Sequence, residues 1–298
     1  MKHPLLRGWK VRVGLAICLL VGVLALVGPA LNDLLGIDPN RIDYDALGQS
    51  PGSGHLLGTT SGGQDVLAQV VAGTRGSVLV GVVGAVIGTS LAVVFGVVSG
   101  FVGGRTDQLL SFVTNLFLVM PVLPLILVVA GYVRGTGPLM IALIIGVFGW
   151  AGGARILRAQ TLTLRAREFV VVMKMLGESR LRLMFREVLP HLSGLISAMF
   201  LHMVIGAVLA EAGLAFLGIS SADTVSWGTM IDEAQKQGGI LNQQWWWFLP
   251  PGLCIALLGT ATGLVNFGID EVTNPRLSTA NRSLVKRHRR ALARRQAA

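Results

Sequence analysis

Six apolar runs separated by polar segments restrict this chain to one kind of environment. Val13–Leu31, Val78–Val102, Leu109–Val133, Gly135–Ala154, Leu192–Leu217 and Phe248–Ile269 each hold 19 to 26 residues. A helix rising about 1.5 Å per residue crosses ~30 Å of hydrocarbon within such a length, and it satisfies its own backbone donors and acceptors in lipid. The expected fold class is therefore all-α: a polytopic membrane protein with six transmembrane helices. Composition agrees, at 13% charged residues against about 25% for soluble domains, with 39 glycines of the kind membrane helices tolerate. In 298 residues, six spans leave no room for a large soluble domain. Cys18 and Cys254 lie inside apolar runs and read as small core residues rather than a disulfide framework. Lys2, Arg7, Lys10 and Arg12 precede the first run as they would in a secretory leader. That run exceeds the ~7–15 residues of a leader core, no small-x-small site follows it cleanly, and it is read as the first span.

Cations on alternate sides set the orientation. With the N-terminus inside, 21 of the 25 Lys and Arg residues fall on the inner side, leaving Arg41, Arg75, Arg134 and Lys236 outside. Retention of positive charge on the inner face predicts that the N- and C-termini are both cytoplasmic. The expected organisation is a cytoplasmic tail at 1–12, a first transmembrane helix at 13–31 and an outer loop with an amphipathic helix at 32–77. A core of five transmembrane helices at 78–277 follows, carrying a charged cytoplasmic loop at 155–190, and a basic cytoplasmic tail ends the chain at 278–298. The eight cations after Asn274 are expected to meet anionic membrane lipid, at ~1 kcal/mol per near-surface charge. No aromatic interleaving or fold motif supports nucleic-acid binding.

In the outer loop, Val66, Leu67, Val70 and Val71 share a helical face within Gln64–Thr74, which predicts a short amphipathic helix on the membrane surface. Trp245-Trp246-Trp247-Phe248 reads as an interfacial aromatic belt. Gly84 with Gly88, and Gly96 with Gly100, form small-xxx-small pairs that admit a neighbouring backbone. Pro121 and Pro124 predict a kink in the third span, since each removes a backbone donor. Burying a charge at membrane depth costs at least ~2.5 kcal/mol, so polar groups there are candidates for function. Asn115, His202 and Glu211, with Pro121, form the candidate translocation pathway. A structural reading competes at each polar residue: Asn115 bonding across helices, His202 as a hydrogen-bonded neutral core histidine, Glu211 as a satisfied helix-end carboxylate.

The segment Arg155–Pro190 is a charged island, with eight cations and the anions Glu168, Glu178 and Glu187. Charge this dense needs water or a protein partner. Glu168–Gly177 reads as a helix stopped by glycine, and Ser179–Val188 as a second, cationic helix ended by Pro190. Such a helix-turn-helix predicts a docking site. Motifs for reaction chemistry are missing: the sequence has no Gly-x-x-x-x-Gly-Lys-Ser/Thr loop, no His-Glu-x-x-His and no paired cysteines at metal spacing. The chain reads as a transport subunit rather than an enzyme, with no catalytic or metal residues of its own and with energy supplied by another subunit. A six-span secondary transporter would be expected to carry repeated halves and more intramembrane ionisable groups, and a channel a filter-like loop or an arginine array within a span. Neither pattern is present.

The island resembles the cytoplasmic EAA loop of ABC-importer permeases, whose pattern is Glu-Ala-Ala, three residues, Gly, and then Leu-Pro twelve and thirteen residues after that Gly. Gly177, Leu189 and Pro190 stand at those positions. More widely, the chain is similar to the C-type permease of the dipeptide/oligopeptide/nickel transporter family. The matching residues begin with His55-Leu56-Leu57-Gly58-Thr59, Gly63-Gln64-Asp65-Val66-Leu67, Gly100-Phe101-Val102-Gly103-Gly104 with Asp107, Pro121 and Glu168-Phe169-Val170. They continue with Glu211-Ala212-Gly213-Leu214-Ala215-Phe216-Leu217-Gly218, Ser226-Trp227-Gly228, Pro251-Gly252 and Asp270-Glu271 with Asn274-Pro275-Arg276-Leu277. The chain departs from the pattern at the triplet itself, which is Val171-Val172-Met173, at Asn115 in place of a membrane Asp, and at Thr60 and Gln64 in place of an Asp and an Arg.

The resemblance implies the type I ABC-importer permease fold in a bacterial inner membrane. It implies a heterodimer with a B-type permease, two cytoplasmic ATPase subunits that bind ATP and Mg, and an extracytoplasmic substrate-binding protein, with no cofactor in this chain. Peptides are the implied cargo, with nickel or another small solute as the alternative. ATPase coupling falls to Glu168, Val171, Gly177, Glu178, Leu189 and Pro190. Glu168, Glu178 or the partner permease would supply the carboxylate that Val171 does not.

Overall fold

A computed structural model describes residues 8–273 apart from 36, 53, 133–136 and 220–223. The basic tail at 278–298, the Asn274–Leu277 motif, most of the tail at 1–12 and Arg134 lie outside the described residues. Among the described residues eleven α-helices are formed: α1 (Trp9–Leu35), α2 (Val66–Val102), α3 (Gly104–Val119), α4 (Val122–Tyr132), α5 (Pro138–Gly149), α6 (Ala151–Arg165), α7 (Glu168–Met175), α8 (Arg180–Leu183), α9 (Leu189–Phe216), α10 (Trp227–Lys236) and α11 (Trp245–Thr273). Among the described residues no strand occurs, only an isolated bridge between Thr59 and Asp65.

The mast of the bundle is α2, with 37 residues, about 55 Å at the usual helical rise. Its glycine pairs bring it against two neighbours. A Cβ on Gly84 or Gly88 would lie 3.3 Å from the carbonyl oxygen of Ala142 or Gly146 on α5, and one on Gly96 or Gly100 would lie 2.5 or 2.8 Å from that of Ala154 or Arg158 on α6. The small-xxx-small pairs are thus backbone contacts between helices, as the sequence predicts.

The same helix absorbs the amphipathic segment expected on the membrane surface. Asp65 starts α2 by accepting a hydrogen bond from the Ala68 amide, and Val66 and Val70 are buried with Met230, Ala234 and Trp247. The apolar face meets protein instead of lipid headgroups. For that reason the aromatic belt is also corrected: Trp247 is fully buried, the Trp246 indole donates to the Thr59 carbonyl, and Trp245 alone of the three remains exposed.

Among the described residues four helical segments are long and apolar enough to cross a membrane, and the third and fourth expected spans are broken pairs. Between α3 and α4 the chain turns through 83°. Met120 is extended there (φ −69°, ψ 131°), the conformation that the ring of Pro121 imposes on the residue before it. The predicted kink is therefore a break. A gentler 43° bend separates α5 from α6 at Trp150, whose buried ring packs 4.3 Å from that of Phe95 and 5.2 Å from that of Phe117.

Pro190 does not end a helix, contrary to expectation. Residues Met184–Val188 form a π turn and the helix runs on, so that Arg180–Phe216 is one segment of 37 residues. Within the π turn the Leu189 amide reaches back to the Met184 carbonyl. That wider turn takes up the misfit between the proline ring and the carbonyl four residues earlier.

Candidate coupling and translocation site

Between α6 and α9 the island folds into a compact knob. Its first helix, α7, begins with Glu168 exposed in the first turn, where a carboxylate favours the helix N-terminus. Val170 is buried among Leu157, Leu183 and Val188, and the Phe169 ring stacks on His191 at 5.2 Å. These contacts fix α7 to the foot of α9. The helix closes at Gly177, which takes φ +83°, with its amide bonded to the Lys174 carbonyl and that of Glu178 to the Met173 carbonyl. This paired arrangement needs a left-handed residue, and glycine adopts it without strain. Ser179 then caps α8 by accepting from the Arg182 amide, while Glu178 pairs with Arg182 at 3.3 Å.

The buried side of the knob leaves an apolar side uncovered. Val171 is 40% exposed, Leu176 74% and Met175 81%, with Val172 and Leu181 beside them. Leu189 packs into the core around Leu183, whereas Pro190 is exposed. Glu168, Val171, Gly177 and Glu178 therefore share the knob, and Leu189 and Pro190 lie at its junction with α9.

The pathway candidates do not meet in one place. His202 is exposed on α9 and lines a largely apolar cavity of about 250 Å³, walled by Leu123 and Ile126 of α4, Gly146 of α5 and Gly206 of α9. The expected hydrogen-bonded core position is thus replaced by a cavity wall. Asn115 belongs to a second, polar cavity of about 260 Å³ with Ser99, Thr114, Arg155 and Arg158. Pro121 is exposed at the α3–α4 break. Glu211 is only 3% exposed, and its Oε1 accepts a hydrogen bond from the Ser226 hydroxyl while Oε2 has no partner. Half of this carboxylate is satisfied.

Three pairings escaped the sequence reading. Arg158 holds Asp107 through two hydrogen bonds, His55 Nδ1 donates to Asp65 Oδ2 at 2.8 Å, and the Ser226 hydroxyl donates to Glu211. Five of the six stand in the family-like motifs and Arg158 in the charged island, but the helical register joining Asp107 to Arg158 across 51 residues is not legible in the sequence. On α10, burial and the neighbouring Asp232 push the Glu233 carboxyl above its usual range, with Lys236 opposing. Among the described residues no group of three or more His, Cys, Asp and Glu is placed to hold a metal ion.

Residues 92–279 match the family described as binding-protein-dependent transport system inner membrane component. The chain belongs to this family. It is 35% identical over 257 residues to the oligopeptide transport system permease protein OppC of Mycobacterium tuberculosis, with 86% of each chain covered. Against OppC of Bacillus subtilis the identity is 31% over 268 residues, covering 89% of this chain and 85% of the relative. The dipeptide transport system permease protein DppC of Bacillus subtilis is likewise 31% identical over 268 residues, with 81% of that protein covered. This transport component is thus a multi-pass, all-α membrane protein, and its knob falls within the family match.

Proposed function

We propose that this chain is one permease subunit of an ATP-driven peptide importer, seated in a bacterial inner membrane with both termini in the cytoplasm. It pairs with a second permease to form the route for oligopeptides or dipeptides. Cargo arrives from an extracytoplasmic binding protein, and two cytoplasmic ATPase subunits bind ATP and Mg and supply the work.

One observation carries the coupling part of this reading. The knob turns Val171, Val172, Met175, Leu176 and Leu181 outward on a segment dense in arginine, which the charge asymmetry assigns to the aqueous cytoplasmic side. Exposed apolar surface rimmed by charge is the mark of a protein-docking face. The occupant of that face is an ATPase subunit. Because α8, the π turn and α9 are continuous, movement of the docked knob is delivered to the bundle as a shift between two packings. With Val171 at the first triplet position, the knob's contact is apolar where a carboxylate would have been charged; Glu178 is already paired with Arg182.

Cargo is tested by uptake of labelled dipeptides, longer peptides and nickel in a strain lacking this gene, with and without its restoration. Restored peptide uptake is the expected result. Restoration of nickel uptake alone overturns the assignment.

A further inference from the structure

We propose that Glu211 is a positioning residue through which the rod bearing the knob moves α10 at the opposite end of the molecule. This rests on the coupling role assigned to the knob. The rod is Arg180–Phe216, 37 residues in one helical segment and about 55 Å long. Glu211 sits one and a half turns from its far end, and its bond from Ser226 is the one side-chain hydrogen bond between α9 and the cap of α10 among the described residues.

Ser226 is the first point of α10. Its hydroxyl accepts from the Thr229 amide, and the Thr229 hydroxyl accepts from the Ser226 amide, so the pair forms a closed cap. Anything that moves Ser226 moves the helix start. Around it the packing is close. A Cβ on Gly228 would fall 2.6 Å from the Ala212 Cα on α9, and one on Gly73 of α2 would fall 3.1 Å from the Ser226 carbonyl carbon. Trp227, fully buried, donates its amide to the Ser77 hydroxyl and its indole N–H to the Val70 carbonyl, both on α2. The start of α10 is therefore held between two helices, by Glu211 on one side and by Ser77 and Val70 on the other.

The carboxylate suits a joint that rearranges. Ser77 also faces the Glu211 carboxyl, and Oε2 stands buried without a partner. A shift of α9 along α2 can add the Ser77 hydroxyl as a second donor while the Ser226 bond is kept, so the carboxylate is not stranded as it moves. Retaining a half-satisfied carboxylate at this depth is costly in a purely static contact, where an apolar residue would pack at lower cost. A joint that can take a second arrangement at one end of a helical rod is what a transmitted motion requires.

The test uses the complete transporter in proteoliposomes, with Cys18 and Cys254 replaced. Spin labels at Gln235→Cys on α10 and Leu56→Cys report the distance between α10 and the neighbouring loop, with and without vanadate-trapped nucleotide. The nucleotide-driven distance shift is expected in the parent, lost in Glu211→Ala and in Ser226→Ala, and kept in Glu211→Gln, whose amide oxygen still accepts. Peptide moved per ATP should fall about tenfold in the first two, the equilibrium weight of one buried hydrogen bond, while ATP hydrolysis continues. A shift that persists in Glu211→Ala, or one lost in Glu211→Gln as well, overturns the positioning role. A parent complex that hydrolyses no ATP overturns the importer reading beneath it instead.

Discussion

Arg158 grips Asp107 with two nitrogens, Nε at 2.7 Å from Oδ1 and Nη2 at 2.8 Å from Oδ2, and so ties α6 to the first turn of α3. Thr114 is the one buried residue of α3, so packing alone holds that helix weakly. The fork of a guanidinium matches two carboxylate oxygens in a way an ammonium does not. Arg158→Lys is expected to lower the thermal stability of the purified complex by about 1 kcal/mol, the partly exposed setting limiting the loss. An unchanged melting temperature would count against the clamp.

Gly177 is held at φ +83° with no atom within 4 Å of the place a Cβ would take, so the demand on this position is conformational, not steric crowding by neighbours. Gly177→Val should cost about 1–2 kcal/mol locally, loosen the α7–α8 turn and leave ATP hydrolysis running without uptake. Gly177→Asn, more tolerant of the left-handed region, should keep most of the uptake. Equal uptake by all three chains in vesicles would remove the turn from the coupling route.

The 83° break rests on the extended backbone of Met120 before Pro121. Pro121→Ala lifts that restriction and is expected to let α3 and α4 approach a single helix, drawing Leu123 and Ile126 away from the His202 cavity. Thiol labelling of His202→Cys should then change several-fold between the two backgrounds. No change would mean that packing, not the proline, sets the break.

Glu233 offers a pH test. Because its carboxyl in the folded protein lies above the ordinary range, burial first and Asp232 second, the ionised form costs stability at neutral pH. That cost is present above the folded value and disappears as pH falls through it. Glu233→Gln should therefore melt above the parent at pH 7.5, and the gap should narrow in mildly acidic buffer. A gap independent of pH would exclude the carboxyl as its source.

What the sequence disclosed was mostly what depends on composition and local spacing. Apolar length gave the helical membrane class, the glycine pairs gave the close approach of α2 to α5 and α6, and Gly177 gave the turn. What it hid depends on contacts remote in the chain. Val66 and Val70 look like a lipid-facing stripe until Trp247, nearly 180 residues away, is seen to cover them. Pro190 looks like a stop until the π turn before it relieves the ring. Glu211 and Ser226 were both noted as motif residues, but a periodicity has no means of pairing a helix end with the cap of the next helix.

Cysteine crosslinking at the knob tests the coupling role most directly. With Cys18 and Cys254 replaced, Met175→Cys should form a disulfide or bifunctional adduct with an ATPase subunit in the assembled transporter, and nucleotide should change its yield. Labelling of that cysteine by an impermeant thiol reagent added outside intact cells, with no ATPase adduct, would contradict it.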